Sequence, residues 1–252
     1  MRESHFGLWS VMGALIISKH LFGFTPGAVK LVEPEETFDA TAVTRIRVFD
    51  RIMDKYVNKV EQVVLPGVGF DLIALNYIDG FDIKVFELDQ VNTLDLKVKT
   101  LKKASIDTTS ITYIPVNYEN ESWSDKLLEA GFDKTKKTLF LWQSVSLFLD
   151  VGIVQESLIK MADLCVEGSI IAQDFYSLAF LNGEVSKAAQ KQMNLLKKMG
   201  EPWKFAVDMS DKPKETIESF LGECGLKMKD YIQFGEKLNM KPFYCIVEAE
   251  KV

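Results

Sequence analysis

The heptapeptide LPGVGFD, Leu65 to Asp71, ends a short apolar β-branched run, and a carboxylate, Asp89, follows its glycines by ~20 residues. Gly67 and Gly69 put no Cβ between the backbone and whatever lies over the turn. Asp89 closes the next apolar run, which ends Phe86, Glu87, Leu88, Asp89. Alternation along a strand puts Glu87 and Asp89 on one face, with Asp89 at the tip. This is the arrangement that meets a nucleoside: the backbone approaches the ligand closely, and one carboxylate accepts hydrogen bonds from two ribose hydroxyls. A tight turn and a solvated strand end would use the same residues, so both readings stand at this point. Counting GxGxxG from Gly67, the third glycine falls on Leu72, which disfavours a bound pyrophosphate. A nucleoside cofactor without pyrophosphate, such as S-adenosylmethionine, fits the spacing better, and methyl transfer therefore ranks above hydride transfer.

Groups able to move a proton are few. The chain has two histidines, His5 and His20. The candidates for a base or acid are His20, Asp174 at the end of a predicted fifth strand, and Tyr176 just beyond it. Each also has a structural reading, as a surface histidine, a buried hydrogen-bonding acid and a pocket wall. Two histidines and no HExxH or Cys/His cluster give no expected metal site. The three cysteines, Cys165, Cys224 and Cys245, lack CxxC spacing and read as core thiols of a reducing, cytoplasmic setting. With 30 Lys plus Arg against 36 Asp plus Glu, the net charge of −6 argues against a general nucleic-acid binder. The apolar run from Phe6 to Ser18 is shorter than the ~20 residues of a membrane span, so no stable membrane insertion is expected.

The elements that must position these residues follow from hydrophobic periodicity. Phe38 to Val57 carries Val43, Ile46, Phe49, Ile52 and Met53 at helical spacing. Strands are expected at 62–65, 83–88, 111–116, 138–142 and 168–175, alternating with helices at 70–78, 91–103, 123–130 and 154–164. Strict alternation of this kind implies a parallel sheet with helices on both faces. Helical stretches at 181–199 and 214–224 and strands at 228–234 and 242–249 follow, the last two as an antiparallel hairpin. The expected organisation is an N-terminal helical lid over 1–58 and a Rossmann-like core over 59–252, with a small cap near 177–210. At 252 residues, 47% hydrophobic and 26% charged, this is one folded unit with additions.

Seven blocks in order carry a resemblance to a known family: TRIRVFD (44–50), VVLPGVGFD (63–71), FELDQ with the following Lys and KTL (86–101), IPVNY (114–118), SWSDKLLEAGFD (122–133), TLFLWQSVSLFL (138–149) and EGSIIAQD (167–174). Over this half of the chain the sequence resembles the leucine carboxyl methyltransferase family, including its bacterial O-methyltransferase branch. The resemblance implies an α/β fold, the seven-stranded, mostly parallel sheet of class I S-adenosylmethionine-dependent methyltransferases with an antiparallel C-terminal hairpin. It implies S-adenosyl-L-methionine as cofactor, with Lys19 and Arg45 at its methionine carboxylate, Gly67 and Gly69 in the turn, Asp89 at the ribose, Asn117 and Tyr118 at the adenine, and Gln143 beside the cofactor at the end of the fourth strand. The expected acceptor is the carboxylate or hydroxyl of a small molecule, and less so a protein C-terminus. Three positions depart from the family pattern: Asn117 stands where an Asp is usual, Gln143 where a Glu is, and Ile73 where an Arg is. A repurposed chain that keeps the fold and binds the cofactor weakly or not at all is the alternative these three residues raise. Nothing in the sequence demands more than a monomer or fixes a homodimer.

Overall fold

Seven strands form one sheet in the order β3-β2-β1-β4-β5-β7-β6. The computed structural model describes residues 38–118, 120–185, 190, 194, 198, 202–234 and 242–252, with side chains from residue 44 onward. In chain order these give α1 (Phe38–Tyr56), β1 (Gln62–Pro66), β2 (Lys84–Asp89), α2 (Val91–Lys103), β3 (Ile111–Pro115), α3 (Trp123–Glu129), β4 (Thr138–Trp142), α4 (Val151–Leu164), β5 (Ile170–Tyr176), α5 (Leu178–Leu181), α6 (Pro213–Glu223), β6 (Leu226–Phe234) and β7 (Tyr244–Lys251). β1 to β5 are parallel, while β7 runs antiparallel to both β5 and β6. The expected alternation and the hairpin are thus both present.

The parallel strands bury both faces, so their alternate residues enter two separate cores. Val64, Phe86, Phe140 and Trp142 join Trp123 and Leu127 of α3, Val154 and Leu158 of α4, and Ile217 and Leu221 of α6. Val63, Leu65, Val85, Leu139 and Leu141 meet Val48, Phe49, Ile52 and Met53 of α1. The helix predicted as the end of the lid is therefore also a layer of the core, and this fixes Arg45 and Asp50 relative to the sheet. Lys55 of α1 reaches Glu248 of β7 at 2.7 Å, and the Tyr56 hydroxyl donates to the same carboxylate at 2.6 Å.

One predicted helix is not an α-helix. In place of 70–78 the chain makes a single 3₁₀ turn, Ile73–Asn76. Two side-chain bonds explain this. The Asp71 carboxylate accepts from the Ile73 N–H at 2.9 Å, and the Asp71 carbonyl, an acceptor that an α-helix would use, instead accepts from Lys97 Nζ at 2.6 Å. The helix expected at 181–199 falls mostly outside the described residues, as do Lys19, His20 and the N-terminal stretch. Among the described residues no helix is long and apolar enough to cross a membrane, and no cluster of three His, Cys, Asp or Glu is placed to hold a metal ion.

Candidate active site

Strand order reverses between β1 and β4, so the crevice where a doubly wound sheet takes its ligand lies over their carboxyl ends. The glycine turn leaves β1 there, and Gln143 and Ser144 leave β4 beside it. On the β2 side, the turn is tied down by backbone bonds. Gly67 N–H and Val68 N–H both donate to the Leu88 carbonyl, at 2.7 and 3.1 Å. Asp89 accepts from Gly69 N–H at 2.7 Å through one carboxylate oxygen and from Gln90 N–H at 2.7 Å through the other. The Asp89 carbonyl accepts from Val116 N–H at 2.9 Å, which brings the Asn117–Tyr118 turn against the same strand tip. Asn117 N–H in turn donates to Glu121 at 2.7 Å, and the Tyr118 ring lies 6.5 Å from that of Trp123.

The two glycines do different work. Both have positive φ, +67° at Gly67 and +52° at Gly69. A Cβ on Gly67 would stand 2.3 Å from a Val145 methyl, so this glycine lets the β1 and β4 loops close on each other. A Cβ on Gly69 would meet nothing within 4 Å. Of the two alternatives the sequence left open, the tight turn with close loop packing belongs to Gly67, whereas Gly69 has open space beside its backbone.

On the other side, four elements converge. Arg45 of α1 donates through Nη1 to Ser144 Oγ and, at 3.5 Å, to the Tyr176 hydroxyl. Ser144 holds a left-handed backbone, φ 56°, which costs a non-glycine residue about 1–2 kcal/mol. Asp174 offsets this by accepting from Ser144 N–H at 2.7 Å and from Ser144 Oγ at 3.1 Å. Its second oxygen also accepts from the Tyr244 hydroxyl at 3.0 Å. Asp174 is wholly buried, and that desolvation pushes its carboxyl up against the opposing pull of Arg45, Ser144 and Tyr244. Burial likewise pushes up the Tyr176 phenol, helped by the negative charge of Asp174. These two candidate bases are thus built into a hydrogen-bonded wall, where Asp174 holds Ser144 and Tyr244.

Gln143 turns toward the β1 loop, where its amide Nε2 donates to the Asp71 carboxylate. Its Oε1 is buried without a partner, as is Arg45 Nε. The chain returning to α6 caps this side. Lys204 N–H donates to the Leu147 carbonyl at 2.6 Å, which seats Trp203 stacked on Phe180 at 4.9 Å and on Tyr176 at 6.4 Å. The structure therefore brings Arg45, Gln143, Asp174 and Tyr176 together on one flank, and Gly69, Asp89, Asn117 and Tyr118 on the other.

Sequence reasoning missed Ser144 and Tyr244. Ser144 was legible as the residue leaving a strand at the switch point. Tyr244 was not, because its place opposite Tyr176 depends on the register of an antiparallel pair formed across a long separation. Lys97 and Glu87 stood together in one block of the resemblance, but their ion pair at 2.6 Å beneath the glycine turn was not foreseen.

A model of the leucine carboxyl methyltransferase family matches residues 26–162. A protein of Mycobacterium ulcerans (strain Agy99) is 26% identical over 181 residues, which are 71% of this chain and 54% of that one. Another, of Mycolicibacterium gilvum (strain PYR-GCK), is 34% identical over 116 residues, 45% of this chain and 46% of its own length. Their names assign both provisionally as S-adenosyl-L-methionine-dependent methyltransferases. The chain spans about half the length of these curated relatives. Among solved structures, an S-adenosylmethionine-dependent methyltransferase from Anabaena variabilis ATCC 29413 superposes with a TM-score of 0.57 at 13% identity, covering 97% of this chain and 95% of that one. Magnesium protoporphyrin IX methyltransferase from Synechocystis PCC 6803, solved with bound S-adenosylhomocysteine, gives 0.53 at 10% identity over 96% of this chain and 100% of its own. At such identities the agreement is one of fold: the sheet order and hairpin are those of class I methyltransferases.

Proposed function

Because the chain belongs to the leucine carboxyl methyltransferase family, we propose that it is an S-adenosyl-L-methionine-dependent O-methyltransferase whose acceptor is a small-molecule carboxylate or hydroxyl. The observation that carries this reading is the pairing, across one crevice, of a strand-tip carboxylate beside an open glycine with a buried guanidinium whose Nε has no partner. The residues fit a nucleoside joined to an amino acid. Asp89 retains lone pairs for the ribose hydroxyls, since each of its oxygens accepts only one backbone N–H. Gly69 leaves room above the turn, Asn117 and Tyr118 flank the adenine position, and Arg45 takes a carboxylate at the far end. Gln143 Oε1 offers an unfilled acceptor to an ammonium group, which an amide does less strongly than the carboxylate usual in the family.

The cofactor supplies an activated methyl group on a sulfonium; the chain supplies geometry. Ser144, held by Asp174, aims Arg45, and the stacked rings of Tyr176, Phe180 and Trp203 wall off water beside it. Within the proposal a carboxylate acceptor is favoured over a hydroxyl. It arrives already ionised at neutral pH, whereas Asp174 has its oxygens engaged and the Tyr176 phenol is kept protonated by burial. Tyr176 then serves as a hydrogen-bond donor to the acceptor oxygen. A cytoplasmic setting agrees with the three free, buried cysteines.

Calorimetry with S-adenosylmethionine and S-adenosylhomocysteine tests the reading: both bind, and failure of either to bind at millimolar concentration to folded protein refutes it. The competing reading, a binding protein without turnover, draws on Gln143 as an uncharged residue at the ammonium position. It predicts binding with no S-adenosylhomocysteine released when a panel of small carboxylic acids is supplied, and mass spectrometry of the methyl esters separates the two.

A further inference from the structure

The glycine turn has almost no regular structure of its own to hold it. After β1 come two left-handed glycines, then Asp71, then a 3₁₀ helix of four residues, so no α-helical ladder fixes the orientation of the carbonyls near the crevice. The turn is held from β2 and α2 instead. Lys97, in the second turn of α2, points its amine into the protein with its side chain 1% exposed. Nζ donates to Glu87 Oε2 of β2 at 2.6 Å and to the Asp71 carbonyl at 2.6 Å. Glu87 is equally buried.

Stability does not account for this pair. Taking a lysine and a glutamate out of water costs several kcal/mol per ion, and well-packed apolar residues of the same volume commonly leave a fold as stable or more so. Glu87 moreover keeps one oxygen, Oε1, with no partner at all, so the pair is not arranged to satisfy itself fully. What the pair does achieve is a single aimed donor, a charged amine held by its counter-ion against a carbonyl that a helix over 70–78 would otherwise have used.

We propose that Lys97, aimed by Glu87, is the positioning residue of the glycine turn, keeping its shape while a ligand engages the crevice. Gly67 and Val68 are tied through their N–H groups to the Leu88 carbonyl at the start of the turn, and beyond them one tether lies with the ligand. The Gly69 bond runs to Asp89, and Asp89 is the group proposed to accept from a ribose; that bond shares its acceptor with the ligand. The Lys97 bond approaches from below, through a buried amine, and shares nothing with it. Asp71 is also the residue whose carboxylate meets Gln143, so fixing its carbonyl carries the position of the β1 turn across to the β4 loop. The inference rests on the cofactor reading above for its consequence on binding, and on geometry alone for its consequence on the turn.

The test uses the full chain with Glu87→Leu and Lys97→Met combined. The readouts are the thermal midpoint, hydrogen exchange of peptides covering residues 66–72, and S-adenosylhomocysteine affinity by calorimetry. The expected result is a midpoint equal to or above the parent's, faster exchange confined to 66–72, and a Kd raised about tenfold or more, the scale of effect that a misplaced site produces. A folded double variant with parental exchange and parental Kd overturns the proposal. Should the double variant not fold, the two single amide variants decide. Glu87→Gln leaves Lys97 an acceptor on each side, so exchange stays near parental, whereas Lys97→Gln loses the charged tether and speeds it. Equal behaviour of the two overturns the proposal. If the parent binds no S-adenosylhomocysteine, the cofactor reading fails by itself, and the exchange comparison still decides the role of Lys97.

Discussion

Across the crevice, Asp89 and Arg45 are held in different ways. Both carboxylate oxygens of Asp89 accept backbone N–H groups at 2.7 Å, and the turn beside it is braced by Lys97. Arg45 is held by hydroxyls, those of Ser144 and Tyr176, with its counter-charge, Asp174, acting through Ser144 and leaving Nε without a partner. The β2 flank is thus pinned by its own backbone, while the β4–β5 flank is a side-chain network that keeps unfilled capacity. A backbone-pinned flank suits the invariable part of a ligand, the nucleoside. A side-chain network depends on every member, and this is where substitutions separate the two flanks most sharply.

The largest expected effect is at Asp174. Asp174→Ala removes the acceptor for Ser144 and Tyr244 and leaves the half-buried Arg45 charge without the carboxylate behind Ser144. Removing the charged member of a buried network in this way costs about 3–5 kcal/mol. Urea unfolding should give a loss of this size, and a loss below ~1 kcal/mol would mean that the flank is not one electrostatic unit. On the pinned flank the order of effects reverses. Asp89→Ala removes the carboxylate proposed to accept from the ribose hydroxyls; hydrogen bonds to a charged group are worth about 1.5–3 kcal/mol, so the S-adenosylhomocysteine Kd should rise by roughly 10- to 100-fold. Folding stability should fall by less than in the Asp174 variant, and equal stability losses would erase the distinction between the flanks.

The difference between the flanks also marks what the sequence could reveal. The turn, Asp89 and the alternation of strands and helices are local in sequence, and periodicity with spacing located them to within a few residues. Tyr244 and the role of Asp174 arise from contacts across long separations, such as Asp174 paired with Ile246 and Tyr176 with Tyr244 in the β5–β7 register, which no local pattern encodes. The 3₁₀ turn at Ile73–Asn76 was misread as a longer helix for a related reason. The residue that diverts the Asp71 carbonyl, Lys97, lies 26 positions downstream. Arg45 was placed only through resemblance to a family, since an arginine on an amphipathic helix does not announce which carboxylate it will face.

A third prediction concerns Asp50 of α1, which stands near Asp71 and Asp54. Desolvation and then the negative charges of Asp71 and Asp54 push its carboxyl up to about 7. The unfolded chain releases this proton near ~3.9. Between these values the folded state holds a proton that the unfolded state has lost, so stability is highest below pH ~4, falls as pH rises towards about 7, and is level above that, from this group. The slope contributed is at most ~1.4 kcal/mol per pH unit. Unfolding measured at pH 5, 6, 7 and 8 should show this decline in the parent and a flatter profile in Asp50→Asn. A profile unchanged by the substitution would show that Asp50 is ionised throughout and that the carboxylates at the base of the two flanks do not repel one another.

The smallest effect on stability, and the most direct question to the ligand, comes from Gly69 of the turn, with Gly67 as its contrast. Gly67→Ala forces a Cβ to 2.3 Å from a Val145 methyl and strains a φ of +67°, so it should cost the ~1–3 kcal/mol of an overpacked core in addition to the left-handed penalty. Gly69→Ala carries only the penalty of its φ, +52°, about 1 kcal/mol, because the new methyl group has nothing within 4 Å. On the proposed reading, that methyl would occupy the space in which the pinned flank receives the nucleoside. Gly69→Ala should therefore melt within a few degrees of the parent, a shift of about 2–4 °C for a chain of this size, and yet bind S-adenosylhomocysteine more weakly. A Gly69→Ala variant with the parent's affinity would mean that the open face of the turn points away from the nucleoside. Asp89, Asn117 and Tyr118 would then make the contacts of the pinned flank, and the backbone pinning of Gly69 would serve the turn alone.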